Sequence, residues 1–165
     1  MGLIGKIKKA SETIDDIKRK VSGEPKQEIA TIEITGFFAL KEDGIMRVLE
    51  ANPLFELGTK ELVEKGYGGK RIYKFFPDYK YGIELIPEPE NPYDKNAVAV
   101  AITGAKIGHI PRDQTLWIKK LMKSGKIINM QVEVKGGPVR KIFTDGVSMA
   151  YFNEYQPKIT IEYNS

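Results

Sequence analysis

Leu85-Ile86-Pro87-Glu88-Pro89-Glu90-Asn91-Pro92-Tyr93-Asp94-Lys95-Asn96-Ala97-Val98-Ala99-Val100 is the stretch on which the reading of this chain turns. Its apolar start reads as the end of a strand over 82–87, and Ala97 to Ile102 reads as the next strand. The polar segment between them, 88–96, has Asn-Pro-Tyr-Asp at its centre. Proline fixes φ, and Asn and Asp bond neighbouring backbone groups, so a tight turn is expected there. Thr103-Gly104 then reads as a hairpin turn and Lys106 to Ile110 as the returning strand. Pro111 precedes a helix over 112–124. Leu116, Trp117, Leu121 and Met122 are expected on its buried face, and Gly125 as its stop.

Outward from this segment, the chain reads as short strands with few helices. A first strand covers 28–38, with Ile32 and Ile34 in alternation. A short helix is expected over 45–51. Another is expected over 59–65, opened by Thr59 as N-cap and closed by Gly66. Arg71 to Phe76 reads as a strand. Two more, 127–134 and 138–143, flank Lys135-Gly136-Gly137, and the last strand is 158–163. Near the N-terminus Ile4, Ile7, Ala10, Ile14, Ile17 and Val21 recur every three or four residues. They predict an amphipathic helix over 3–21 that ends at Ser22-Gly23-Glu24-Pro25. The expected organisation is a helix and linker over 1–24, then one domain over 25–165 with a helical insertion at about 43–66. The fold class is mostly β with α (α+β): a small, closed or nearly closed β-barrel of about six strands, capped by the helix at 112–124.

Composition narrows the function. The chain has 165 residues, 41% hydrophobic and 29% charged, which suits one folded domain. It has no cysteine and one histidine, which excludes disulfide scaffolds, thiolate zinc sites, cysteine nucleophiles and multi-histidine metal sites. It has no phosphate-cradling Gly-x-x-x-x-Gly-Lys-Ser/Thr, no Gly-x-Gly-x-x-Gly after a strand, no His-Glu-x-x-His and no Gly-x-Ser-x-Gly. The chain therefore reads as a non-enzyme without a cofactor or metal. No run of about 18 apolar residues exists and the first residues do not form a secretory signal, so a cytoplasmic protein with no membrane partner is expected. The net charge is +4, but residues 91–145 alone carry ten Lys or Arg against four Asp or Glu. A basic excess concentrated in that half is the electrostatic footprint expected for a polyanion partner, although a solvated helix face would carry the same lysines.

The string Glu88-Pro89-Glu90-Asn91-Pro92-Tyr93-Asp94-Lys95-Asn96-Ala97, followed by Ile107-Gly108-His109-Ile110-Pro111, resembles the HIRAN domain family. The resemblance is firm from Leu85 to Gly125 and looser from about Ile29 to Phe143. It implies a small β-barrel related to OB and SH3-like barrels that binds the 3′ end of single-stranded DNA. It implies a stacking role for Tyr93, a hydroxyl-binding role for Asp94, and contacts from His109 and Arg112. A first-strand aromatic would come from Phe37 or Phe38, where the family usually has tyrosines with a basic residue. This chain departs from that pattern, so Tyr73 with Arg71 is the alternative. Phe143 matches a later stacking aromatic.

The chemistry of these side chains fits such a ligand. An ionised aspartate only accepts, so it takes a hydrogen bond from a terminal hydroxyl and repels a terminal phosphate. A tyrosine offers a π-face, and an arginine near a helix start holds a phosphate. Taken alone, the same residues also make an ordinary structural turn. The alternative function is a protein-interaction barrel that docks or dimerises through the helix within residues 1–22. DNA and RNA both present a 3′-hydroxyl, so RNA stays open as a ligand.

Overall fold

The computed structural model describes residues 17, 18, 20–36 and 48–165. Among these residues the strands are β1 (Gln27–Glu33), β2 (Arg71–Tyr73), β3 (Lys80–Gly82), β4 (Glu84–Pro87), β5 (Val98–Ile102), β6 (Ala105–His109), β7 (Ile127–Ile142) and β8 (Ser148–Asn164). The helices are α1 (Thr59–Glu64) and α2 (Arg112–Ser124), with a 3-10 turn at Pro53–Glu56; residues 17, 18 and 20–22 are also helical. The mostly β character with a few helices agrees with the sequence reading. Among the described residues, no helix is long and apolar enough to cross a membrane.

The strands form two antiparallel sheets. One runs β1-β8-β7-β2, with β3 also on β7, and the other runs β4-β5-β6. Only Ile83 separates β3 from β4, so one extended stretch passes from the first sheet to the second. A second tie is a pair of backbone hydrogen bonds, in which Thr35 N donates to His109 O and His109 N donates to Thr35 O, each at 3.0 Å. The expected barrel is corrected here: these ties join the sheets, but the ladders do not close into one. A single bridge cannot supply the continuous hydrogen-bonded stagger that closure requires.

Apolar burial explains the arrangement. All five residues of β5 are buried, which marks a strand covered on both faces. Val98, Val100 and Ile107 pack with Ile32, Ile118, Val132, Ile159 and Ile161 in the main core. Each such side chain contributes about 1.5–3 kcal/mol when fully buried. A smaller core holds Leu62, Ile72 and Ile142, with Leu54, Phe55 and Leu57 packed against it.

Several expectations are revised. The two strands expected over 127–143 are one strand, β7. Gly136 and Gly137, at φ of 102° and 84°, absorb the irregularity as a bulge against β8 instead of ending the strand. A Cβ on Gly136 would lie 2.1 Å from the Glu154 carbonyl oxygen. The last strand begins at Ser148, ten residues before the expected start, because β7 holds it in register from Ile142↔Ser148 onward. Gly58, not Thr59, is the N-cap of α1, and Thr59 Oγ instead donates to Ser148 Oγ at 3.0 Å. On α2 the buried residues are Thr115, Ile118 and Leu121, with Met122 packed against the core. Leu116 is 62% exposed, and Trp117 lies on the surface edge-on to Tyr163. The helix is rotated so that the 115–118–121 row faces the sheet. Most of the expected helix over 3–21, residues 45–47 of that over 45–51, and both Phe37 and Phe38 lie outside the described residues; within 48–51 only Val48 is helical and Ala51 bridges Phe75.

Candidate nucleic-acid interface

The turn at 88–96 is built from its own side chains. Asn91 Oδ1 accepts from the backbone N–H groups of Tyr93 (3.0 Å) and Asp94 (3.2 Å). Asp94 Oδ1 accepts from Asn96 N–H at 2.9 Å. These are the Asx bonds that make Asn and Asp good turn residues. Glu88 N donates to Ala97 O and Ala97 N donates to Asp94 O, each at 2.9 Å, so the loop is closed where β4 ends and β5 begins.

Two elements, β6 and α2, converge on this loop. From β6, the His109 ring places Nε2 2.7 Å from Glu88 Oε2, and Lys106 donates to Glu88 Oε1. Asn91 Nδ2 donates to Glu88 Oε2 at 3.1 Å. The Glu88 side chain is only 16% exposed. The hydrogen bonds from Lys106, then His109, then Asn91 hold its carboxyl at about 2. From α2, Arg112 Nε donates to Asp94 Oδ2 at 3.1 Å and its NH2 donates to Tyr93 O at 3.3 Å. Lys119 Nζ donates to Asn96 Oδ1 at 3.3 Å. The Asn96 N–H, and after it Arg112, hold the Asp94 carboxyl below its ordinary value. Asp94 is therefore an ionised acceptor at neutral pH.

Tyr93 is 90% exposed, so its ring stands clear of the protein. Its backbone N–H is held by Asn91 Oδ1 and its carbonyl by Arg112, so the ring is presented to solvent from a fixed backbone. The Arg112 side chain is 78% exposed beyond its bond to Asp94. Tyr93, Asp94, His109 and Arg112 thus belong to one hydrogen-bonded network that runs from Arg112 through Asp94 and Asn91 to Glu88 and His109. Arg71, Tyr73 and Phe143 sit elsewhere. Arg71 pairs with Lys141 and Tyr73 with Val139 on β7, beside the smaller core. Phe143 follows the end of β7, under Lys141 Nζ at 5.1 Å.

The sequence alone does not single out Glu88 or Lys106, and it marks Lys119 only within the basic cluster Lys119, Lys120, Lys123 and Lys126. Glu88 carries the one available signal, an acid at a strand end facing a returning strand with Lys106 and His109 three positions apart.

Comparison with known proteins follows the same loop. Residues 78–141 match the HIRAN domain. The match bears out the HIRAN resemblance read from the turn and the Ile-Gly-His-Ile-Pro string, and it includes every member of the network. Two solved structures are similar. The HIRAN domain of human HLTF is 13% identical, with 83% of this chain and 77% of that chain covered at a TM-score of 0.36. A protein from Lactobacillus plantarum is 15% identical, with 84% and 100% covered at a TM-score of 0.35. No curated protein matches the chain.

Proposed function

We propose that this chain is a non-catalytic module that holds the 3′-hydroxyl end of single-stranded DNA at the 88–96 turn. The observation that carries this reading is the pairing of an exposed Tyr93 ring with an adjacent carboxylate, Asp94, fixed by Arg112. Asp94 Oδ1 and Oδ2 each accept one bond within the protein and retain a lone pair for an incoming donor. A terminal hydroxyl supplies that donor. A terminal phosphate brings negative charge against a carboxylate and is rejected. Tyr93 stacks on the last base, a contact worth about 1–3 kcal/mol. The guanidinium N–H groups of Arg112 reach the preceding phosphate from the same place. His109, tied to Glu88, orients the loop from beneath.

Fluorescence anisotropy with a labelled ten-nucleotide single strand tests this. One strand ends in a 3′-hydroxyl and the other in a 3′-phosphate. Tighter binding of the hydroxyl end, lost in both Tyr93→Ala and Asp94→Ala while the fold survives, is the expected result. Equal binding of both ends would reduce the site to a generic basic surface, and wild-type binding by both variants would remove these residues from it. The same assay with an RNA strand decides between the two polymers.

A further inference from the structure

The chemistry of the turn accounts for one terminal nucleotide, yet α2 carries beside it a largely basic row interrupted by one exposed leucine. Successive helical residues are 100° apart, so Arg112, Leu116, Lys119 and Lys123 fall within about 60° of one another on the helix surface. The side-chain contacts fix where this row lies: Arg112 bonds Asp94 and Lys119 bonds Asn96, so it runs along the 88–96 turn. The core-facing row, Thr115, Ile118 and Leu121, points away from it. The acid on this helix, Asp113, lies outside the row, about 100° round from Arg112. Among the described residues, Lys119, Lys120 and Lys123 form no salt bridge, so their charge is not cancelled within the protein. Leu116, 62% exposed, sits between Arg112 and Lys119 as an apolar surface that the helix does not bury. From Arg112 to Lys123 the row spans roughly 16 Å.

We infer that this row is a backbone track: with the 3′ end held at Tyr93 and Asp94, the strand runs in the 5′ direction along α2, its phosphates facing Lys119 and Lys123 and its sugars passing over Leu116. The inference rests on the proposed end recognition and adds a direction and a length to it. Charge complementarity and continuity with the turn select the occupant. The contacts are with phosphate, so they carry no base preference.

The test compares a trinucleotide, made with either a 3′-hydroxyl or a 3′-phosphate end, and a ten-nucleotide strand with a 3′-hydroxyl end across a salt series. The proteins are wild type, Lys123→Gln and Lys119→Gln/Lys123→Gln. Wild type is expected to bind the longer strand more tightly and with a steeper salt dependence. Each lysine removed should flatten the slope of log K against log salt by about 0.7 for the longer strand. Trinucleotide binding by Lys123→Gln should stay at the wild-type level, since that residue stands at the far end of the row. If the variants keep the full length gain and the full slope, the track is wrong and end recognition stands. If wild type fails to distinguish a 3′-hydroxyl from a 3′-phosphate on the trinucleotide, end recognition itself fails and the direction assigned to the strand falls with it.

Discussion

Arg112 Nε lies 3.1 Å from Asp94 Oδ2, a contact between the first residue of a helix and a loop eighteen positions earlier in the chain. This pair does two things at once. It fixes the Asp94 carboxylate, and it holds a largely exposed guanidinium beside that carboxylate. Both partners are solvent-accessible, so the pair contributes little to the fold. Arg112→Ala is expected to leave the melting temperature unchanged and to weaken binding of a 3′-hydroxyl single strand roughly tenfold or more. Arg112→Lys restores the charge without the planar donor set and should recover only part of the affinity. Anisotropy and thermal melts on the same preparations check both statements.

Glu88 sets the acid limit of the site. Its carboxyl is held at about 2, against an ordinary 4.5, by Lys106, His109 and Asn91. The folded protein thus binds this proton more weakly than the unfolded chain does. The stabilisation is fully present above about pH 4.5 and is lost as pH falls towards 2. Glu88→Gln is expected to lower stability at pH 7 by about 1–3 kcal/mol. The difference from wild type should shrink as pH falls through that window. Denaturant unfolding at pH 7, 4 and 2.5 reads it; a difference independent of pH would show that the charge of Glu88 is not what matters.

Gly108 is where the two sheets meet. A Cβ there would lie 2.3 Å from Ile34 Cγ2 and 3.0 Å from the Thr35 carbonyl oxygen. Gly108→Ala must push β6 away from Thr35 and so break the bridge at His109. A loss of about 1–3 kcal/mol is expected, as for other overpacked positions. Amide exchange at His109 and Thr35 should accelerate in the variant. Unchanged exchange at both would show that the bridge tolerates the added methyl.

Arg140 ties the 53–64 segment to β7. Its guanidinium donates to the carbonyl oxygens of Phe55 and Leu57 and to Thr59 Oγ. Arg140→Met removes those donors from partly buried acceptors, and a cost of about 2–3 kcal/mol is expected. Among the described residues, no hydrogen bond or ion pair of the 88–96 turn reaches this cluster. End binding by the variant should therefore match wild type at temperatures where it remains folded. A parallel loss of binding would show coupling between the smaller core and the turn.

The turn was legible from its residues. Asn91-Pro92-Tyr93-Asp94 specifies its own geometry, because Asn and Asp side chains reach backbone N–H groups only two or three positions away. The hairpin of β5 and β6 and the span of α2 were legible for the same reason, since their periodicity and stop signals are local. The bulge in β7 was not. Lys135-Gly136-Gly137 has the composition of a turn, and only the close approach of Glu154 across the ladder shows why glycine is required there without ending the strand.

The sequence by itself determined the elements around residue 93, the mostly β character and the basic excess that accompanies them. Tertiary structure alone decided which side chains meet: Arg112 with Asp94, His109 and Lys106 with Glu88, and Lys119 with Asn96. It also decided that Arg71 and Tyr73 pair with the 139–141 part of β7, just before Phe143, and not with the turn. The reason lies in range. Propensity, capping and Asx bonding act over a few residues and are written in the local string. The rotation of α2 and the register of β7 on β8 minimise exposed apolar area over the whole chain, and no short window of sequence contains that sum.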